Sequence, residues 1–436
     1  MSDDDAPDIA DLKEEARQRD GADPLRYLRD RFYLPPGRLY FDGNSLGPLS
    51  RDAETEVSRV LDAWRVHGVE GWTEATPPWF FLAEELGARV APLIGAEPTS
   101  VIVTGSTTVN LHQLLATLYH PEGGRHALLI DALAFPSDTY ALESHLRLRG
   151  LPPETHLRFV PSRDGRTLRL DDLLDALTPP VRLAVLPSVI YTSGQLLDME
   201  RLTAAARERE ILLLWDLSHS LGIVPHALDA IGADGAFWCH YKYLNAGPGA
   251  VGGLYLNRRH FDKRPGLAGW FGSDKARQFD MSPTFVPAVG AGALQIGTPP
   301  ILAMAPLLGA LRIHEEVGLD AIREKSLRLV DFLRRCARSL LTPFDISFAL
   351  PDDLPHGGHL ALTHPEAKSL SRRLRENGVV PDFRPPDILR LAPVPLYLSY
   401  ADCLAAVITL RRLLQTGGVA DASTSASTAS TAGWVP

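Results

Sequence analysis

Lys242 closes an apolar run in the stretch WCHYKYLNAGPGAVGGLYL (residues 238–256), in a chain that places lysine only at positions 13, 242, 263, 275, 325 and 368 among 44 basic residues. A lysine amine in apolar surroundings loses its proton readily and becomes a nucleophile toward carbonyl carbon, or a base. The glycines after it, Gly247, Gly249 and Gly252, fit the pattern G-x-G-x-x-G. A dinucleotide loop, however, needs a strand before those glycines and a helix after them. Here they lead into Gly-Leu-Tyr-Leu, which alternates like a strand, and Pro248 interrupts the pattern. The lysine, not the glycine loop, is the candidate for chemistry.

Three other places bear residues of matching use. In ILLLWDLSHSLG, Asp216 ends an almost wholly apolar run, where an ionised carboxylate is costly unless a cation pairs with it; His219 follows three residues on and reads equally as a structural histidine. In ALLIDALAFPSD, Phe135 offers an aromatic face or ordinary core packing, and Asp138 a second carboxylate. In VIVTGSTTVNLHQLLATLY, the turn Gly105-Ser106-Thr107-Thr108 opens a helix, and its hydroxyls and free N–H groups serve as plain caps or as an anion site. An anion site, an aromatic plate, a buried Asp and a Lys form the set that pyridoxal 5'-phosphate requires. They anchor its phosphate, stack on its ring, keep its pyridine nitrogen protonated and attach it covalently.

These residues share one feature: each follows a short apolar run. SVIVTGS, HALLIDA, VRLAVLP, ILLLWDLS, GAFWCH and VGGLYL alternate with helical stretches between about residues 98 and 300. This predicts an α/β fold, a mostly parallel sheet covered by helices on both faces. Ligands of such sheets gather outside the carboxyl ends of the strands, where these residues fall. The expected organisation is an N-terminal arm (1–50) with a charged helix over 9–30, a large cofactor-binding domain (51–305), a smaller α+β C-terminal lobe (306–416) containing GHLALTH and ILRLAPVPLYLSY, and a tail (417–436) too poor in apolar residues to order.

Read together, FDGNSLG, TVNLH, FPSD, WDLSHSLG, WCHYKYLNAGPGAVGGLY, GWFG and RLAPVPLY, spread over about residues 38 to 400, resemble the motifs of the kynureninase family, pyridoxal-phosphate enzymes of transferase fold type I. The resemblance implies hydrolysis of L-kynurenine, or its 3-hydroxy derivative, to the anthranilate and L-alanine, in tryptophan catabolism and NAD precursor synthesis. It also implies a homodimer with shared active sites. Carried over motif by motif, Thr107 and Thr108 would meet the phosphate with Tyr241; Phe135 would stack on the ring; Asp138, Asp216 and His219 would hold its nitrogen and oxygen side; and Lys242 would carry the cofactor. Trp270 in GWFG and Thr298 in GTPP resemble residues that enter from the neighbouring subunit. Arg390 would grip the substrate α-carboxylate, with Arg384, beside a proline turn, as a bystander. Ser45 and His67 would line the pocket for the aminophenyl ketone, and Tyr241 would supply a proton. Two departures stand out: Pro187 occupies a place where a small polar residue is expected, which leaves Ser188 without a clear role, and His356 stands where the family has arginine.

Composition narrows the partners. A net charge of -9 opposes nucleic acid, and no apolar run reaches the roughly 20 residues of a membrane span. Cys239, Cys336 and Cys403 form neither a disulfide framework nor a zinc pattern, and His356 and His359 across Gly-Gly read as incidental rather than as metal ligands. The expectation is a cytoplasmic enzyme without metal. Its rivals are an aminotransferase sharing the cofactor set, a cysteine desulfurase-like lyase, which needs a reactive Cys on a loop after the lysine, and a non-catalytic regulator, which needs a DNA-binding domain that no spare segment supplies.

Overall fold

The computed structural model describes residues 7–416; the tail expected to be disordered lies outside the described residues. All six apolar runs are strands of one seven-stranded sheet, ordered Val101–Val103, Gly252–Leu256, Gly235–Cys239, Leu212–Asp216, Val181–Pro187, Ala127–Asp131, Leu157–Val160. Neighbours are parallel except around Gly252–Leu256, which runs antiparallel to both of its partners. Strands buried on both faces read as continuous apolar runs, which is why these were visible in the sequence. The seventh, Leu157–Val160, was not expected. It is a four-residue edge strand whose two middle residues, Arg158 and Phe159, are exposed, and Arg158 breaks the apolar run in its sequence.

The sheet and its helices enclose one core, and a second core joins the C-terminal lobe to the N-terminal arm through residues such as Leu28, Phe41, Phe332 and Leu404. Helix Ile301–Val317 contributes Met304, Leu307, Leu308 and Leu311 to the first and Ile313 to the second. The helix expected over 9–30 is shorter: Pro7–Gly21 ends at its glycine, Asp23 Oδ1 accepts the Leu25 N–H at 2.9 Å, and a 3-10 turn follows over Arg26–Arg31. Among the described residues no helix is long and apolar enough to cross a membrane.

The small lobe carries an antiparallel sheet ordered Asp382–Arg384, Ile388–Leu391, Leu360–Thr363, Ser347–Phe348. Arg384, expected beside a turn, is therefore a strand residue, because the cis Pro385-Pro386 corner lies just beyond it. Main-chain hydrogen bonds stitch the two lobes together. The loop after Val181–Pro187 folds back with Val189 opposite Leu196, and its far side pairs with residues 355–357: Gly357 N–H donates to Gly194 O at 2.8 Å and Leu196 N–H to Pro355 O at 2.9 Å. Gly194 has φ +84°, and a Cβ there would lie 3.0 Å from the His359 carbonyl oxygen, so the crossing requires glycine.

Candidate active site

A cavity of about 500 Å³ opens at the carboxyl edge of the large sheet, and five strands deliver side chains to its neighbourhood. The floor is Lys242. Its Nζ lies 2.9 Å from His219 Nε2 and 5.9 Å from the ring centroids of both Phe135 and Tyr241. The loop FDGNSLG fixes the lysine's backbone: Gly47 N–H donates to Tyr241 O at 2.7 Å, and a Cβ on Gly47 would come within 2.5 Å of Lys242 O. The glycines after Lys242 serve packing, since a Cβ on Gly252 would press to 2.9 Å on the Ser106 carbonyl carbon and one on Gly253 would enter the Trp238 ring.

Burial drives the electrostatics. His219 is buried, and that burial, reinforced by the Lys242 charge, holds its imidazole well below the ordinary histidine range, so it stays neutral and accepts from the ammonium. Asp216 keeps one oxygen on the Ser218 N–H at 2.8 Å, while burial pushes its carboxyl upward against the pull of Ser218 and Lys242. Asp138 is raised by burial and then by Asp216. Behind them Asp131, which the sequence reading passed over, is pushed up to about 7 by burial. Tyr241 is raised by burial and by contact with Cys239, so its phenol keeps its proton. Carboxyls crowded at the end of a sheet are a strong place for an incoming cation.

Most of the expected residues meet here. Ser45, Thr107, Thr108, Phe135, Asp138, Asp216, His219, Tyr241 and Lys242 all line the cavity. Ser106 makes no side-chain cap on helix Thr107–Leu118, so its capping reading fails and the helix end is open to an anion. Phe135 is 42% exposed, which rules out core packing, and meets Tyr191 edge-on at 5.3 Å.

The remaining residues are placed as follows. Arg390 is fully buried: it pairs with Asp382, its Nη1 donates to Tyr191 O at 2.6 Å, and only Nη2, 3.3 Å from Ser45 Oγ, reaches toward the cavity. Arg384, the supposed bystander, lines the cavity itself. His67 ends helix Arg51–His67 and does not line its own chain's cavity. Ser188 lies behind the site, its hydroxyl donating to Asp216 O at 3.1 Å and meeting Ser220 Oγ at 2.6 Å, so it braces the Asp216 backbone. Trp270 and Thr298 are exposed and away from this cavity, and His356 turns its Nδ1 onto Gly357 O at 2.8 Å. Tyr191 was missed; nothing in VIYTSGQ marks it, and only the loop crossing puts it there.

The residues fit the cofactor on their own chemistry. An open helix N-terminus with three hydroxyls suits a phosphate, an exposed phenyl face suits a planar ring, a buried carboxyl suits a ring N–H, and an amine stands beside them.

Known proteins agree. The aminotransferase class-V model matches residues 58–341 and the kynureninase C-terminal domain model residues 322–410. The kynureninase of Geobacillus thermodenitrificans (strain NG80-2) is 52% identical over 401 residues, covering 92% of this chain and 94% of that protein; the kynureninase of Bacillus anthracis is 50% identical over 403 residues with the same coverage. Among solved structures, a C-DES mutant with glycine covalently linked to its PLP cofactor superposes with a TM-score of 0.77 at 20% identity, covering 88% of this chain and 98% of that one. The apo cysteine desulfurase of Thermococcus onnurineus NA1 does so with 0.75 at 19%, covering 89% and 98%. At such identity these two speak for the fold alone, a type I pyridoxal-phosphate architecture, while the curated relatives and both domain models speak for more: this chain belongs to the kynureninase family.

Proposed function

We propose that this chain is a pyridoxal-phosphate-dependent hydrolase that cleaves the Cβ–Cγ bond of L-kynurenine, giving anthranilate and L-alanine. The observation that carries the reading is Lys242 Nζ, 2.9 Å from a neutral His219 and set between two aromatic rings above a buried Asp216. When bound, the cofactor supplies an electron sink that stabilises carbanions on the amino-acid substrate. Ser106, Thr107 and Thr108 would hold its phosphate, Phe135 would cover its ring, and Asp216 and Asp138 would face its nitrogen.

The chain's own groups then do the following. Lys242 Nζ takes the Cα proton of the substrate and returns it, with His219 Nε2 steadying the ammonium. Tyr241, kept protonated by its surroundings, gives a proton to Cβ as the acyl group leaves with water's oxygen. Arg384 at the cavity surface and Arg390 beneath Ser45 take the α-carboxylate between them. The stitched loop holds Tyr191 over the entrance, beside Phe135.

A second subunit completes the site in this reading. Trp64, Phe81, Trp270, Phe279 and Val289 are all exposed, and Phe80, Phe81, Phe279 and Trp270 pack against one another in one surface cluster. A patch of this kind marks a protein interface. A homodimer formed there would bring Trp270, Thr298 and His67 toward the partner's cavity. All three cysteines are buried and unpaired, in keeping with a reducing, cytoplasmic setting.

The buried cysteines also weigh against desulfurase chemistry, which needs an exposed thiolate; burial pushes Cys336 up to about 12 and raises Cys403 as well. Purified holoenzyme incubated with L-kynurenine and with its 3-hydroxy derivative should release the corresponding anthranilate and equimolar alanine. The transaminated keto acid of kynurenine, with its carbon skeleton intact, as the main product would favour an aminotransferase and overturn the reading.

A further inference from the structure

Arg390 has no contact with solvent, and a guanidinium so placed requires a counter-charge. Asp382 supplies it from directly across the hairpin, since the strand register sets Asp382 opposite Arg390. Asp382 is as deeply buried, and its Oδ2 accepts from Arg390 Nε and Nη2 and, at 3.0 Å, from Arg384 Nε. Arg384 stands two residues along the same strand and so on the same face. Among the described residues that is Arg384's only hydrogen bond, and both of its terminal nitrogens are without a partner there, at the cavity the side chain lines. Close by, Asp42 accepts from Arg375 at 3.3 Å, and burial together with Asp382 pushes its carboxyl up to about 6. Above that pH the cluster holds three guanidinium groups (Arg375, Arg384, Arg390) against two carboxylates (Asp42, Asp382). One positive charge is left over, enough for one carboxylate from outside.

We propose that Asp382 is a positioning residue for substrate recognition: one buried carboxylate oxygen holds Arg384 and Arg390 as the two arms of a receptor for the substrate α-carboxylate. The proposal rests on the reading that these arginines bind that carboxylate. Asp382 does not touch the substrate. It holds Arg384 by Nε alone and Arg390 by Nε and Nη2, the Arg390 nitrogen that also reaches Ser45 Oγ at the cavity, so that neither guanidinium has to be ordered when the ligand arrives.

Charge and position make opposite forecasts for Asp382→Asn. Removing an anion leaves the cluster more positive, so if Asp382 merely competes with the ligand, kynurenine should bind more tightly. If Asp382 positions the arginines, kynurenine should bind more weakly. The test is steady-state kinetics of the wild-type and Asp382→Asn holoenzymes with L-kynurenine, together with inhibition by the decarboxylated amine of kynurenine, which keeps every group except the carboxylate. We expect KM for kynurenine to rise about tenfold or more, the loss of a charge-assisted bond, with kcat/KM falling chiefly through KM and the inhibition constant of the amine moving less than about twofold. A fall in KM overturns the proposal, and so does an equal rise in KM and in the amine's constant, which would mean a structural role alone. Should Asp382→Asn fail to fold with cofactor, Asp382→Glu keeps the charge and shifts the oxygen by one methylene. The same selective pattern, smaller in size, supports the proposal, and its absence overturns it. A wild-type enzyme that binds the amine as tightly as kynurenine removes the carboxylate reading itself, and this proposal with it.

Discussion

Lys242 Nζ and His219 Nε2 stand 2.9 Å apart, and burial keeps the imidazole neutral, so the lysine's closest polar partner is an acceptor rather than an anion. A neutral partner orients the amine by a hydrogen bond without an ion pair.

Borohydride treatment of the holoenzyme should therefore fix the cofactor to Lys242, and peptide mapping should find the label on that residue alone. Label on Lys275, which sits over the Phe80 and Phe271 rings rather than at the sheet edge, would refute the assignment.

Asp216→Asn should hold the cofactor weakly and lose most turnover, because a neutral amide cannot keep the ring nitrogen protonated. Cofactor titration and kcat, measured on the same preparation, check both halves. Turnover close to wild type would contradict the role.

Arg390→Lys exchanges a planar fork for a point charge and breaks its contacts with Asp382 and Tyr191 O, so kcat/KM for kynurenine should fall by at least about tenfold. Arg384→Lys should cost less, but measurably, since it lines the cavity. A larger loss at Arg384 would make it the principal carboxylate ligand.

Mixing Lys242→Ala and Trp270→Ala chains, each inactive alone, should restore roughly a quarter of wild-type activity if sites are shared across a two-fold axis, because half of the dimers are hybrids with one intact site. No recovery after unfolding and refolding the mixture together would place Trp270 in its own chain's site or in neither.

His240, two residues before Lys242, has Nδ1 2.6 Å from Val251 O and Nε2 accepting the Trp238 indole N–H at 2.8 Å, and burial lowers its pKa to about 4. Between about pH 6.5 and 4 the unfolded chain binds a proton that the folded one refuses, so stability rises with pH across that window and is lost as pH falls. The full effect is on the order of 3 kcal/mol at this one site. His240→Gln should lower the melting temperature at pH 7.5 yet flatten its decline toward pH 4. A decline as steep as wild type would assign acid lability elsewhere, to His145 or His226, which are lowered in the same way.

What the sequence revealed depended on how local each feature was. Buried strands and the residues that end or soon follow them, Thr107, Asp138, Asp216 and Lys242, were legible because burial on both faces writes an unbroken apolar run and the chemistry comes shortly after it. Leu157–Val160 escaped because the strand is short and Arg158 breaks its apolar run. Tyr191 and the Asp382 pairing escaped because a loop crossing and a hairpin register bring them into place, and neither leaves a mark in linear spacing. Arg384 was misjudged because a proline pair next to it suggested a turn that in fact begins one residue later.

The main-chain seam between Gly194 and Gly357 limits how this enzyme can be re-engineered. Tyr191 lines the cavity, and its carbonyl also receives Arg390, while the loop that carries both is anchored to the opposite lobe through backbone hydrogen bonds. A transplanted loop from a relative with other substrate preferences should register only if residues 355–359 travel with it; breadth toward new aryl groups and fidelity toward the amino-acid end are thus inherited as a single cassette.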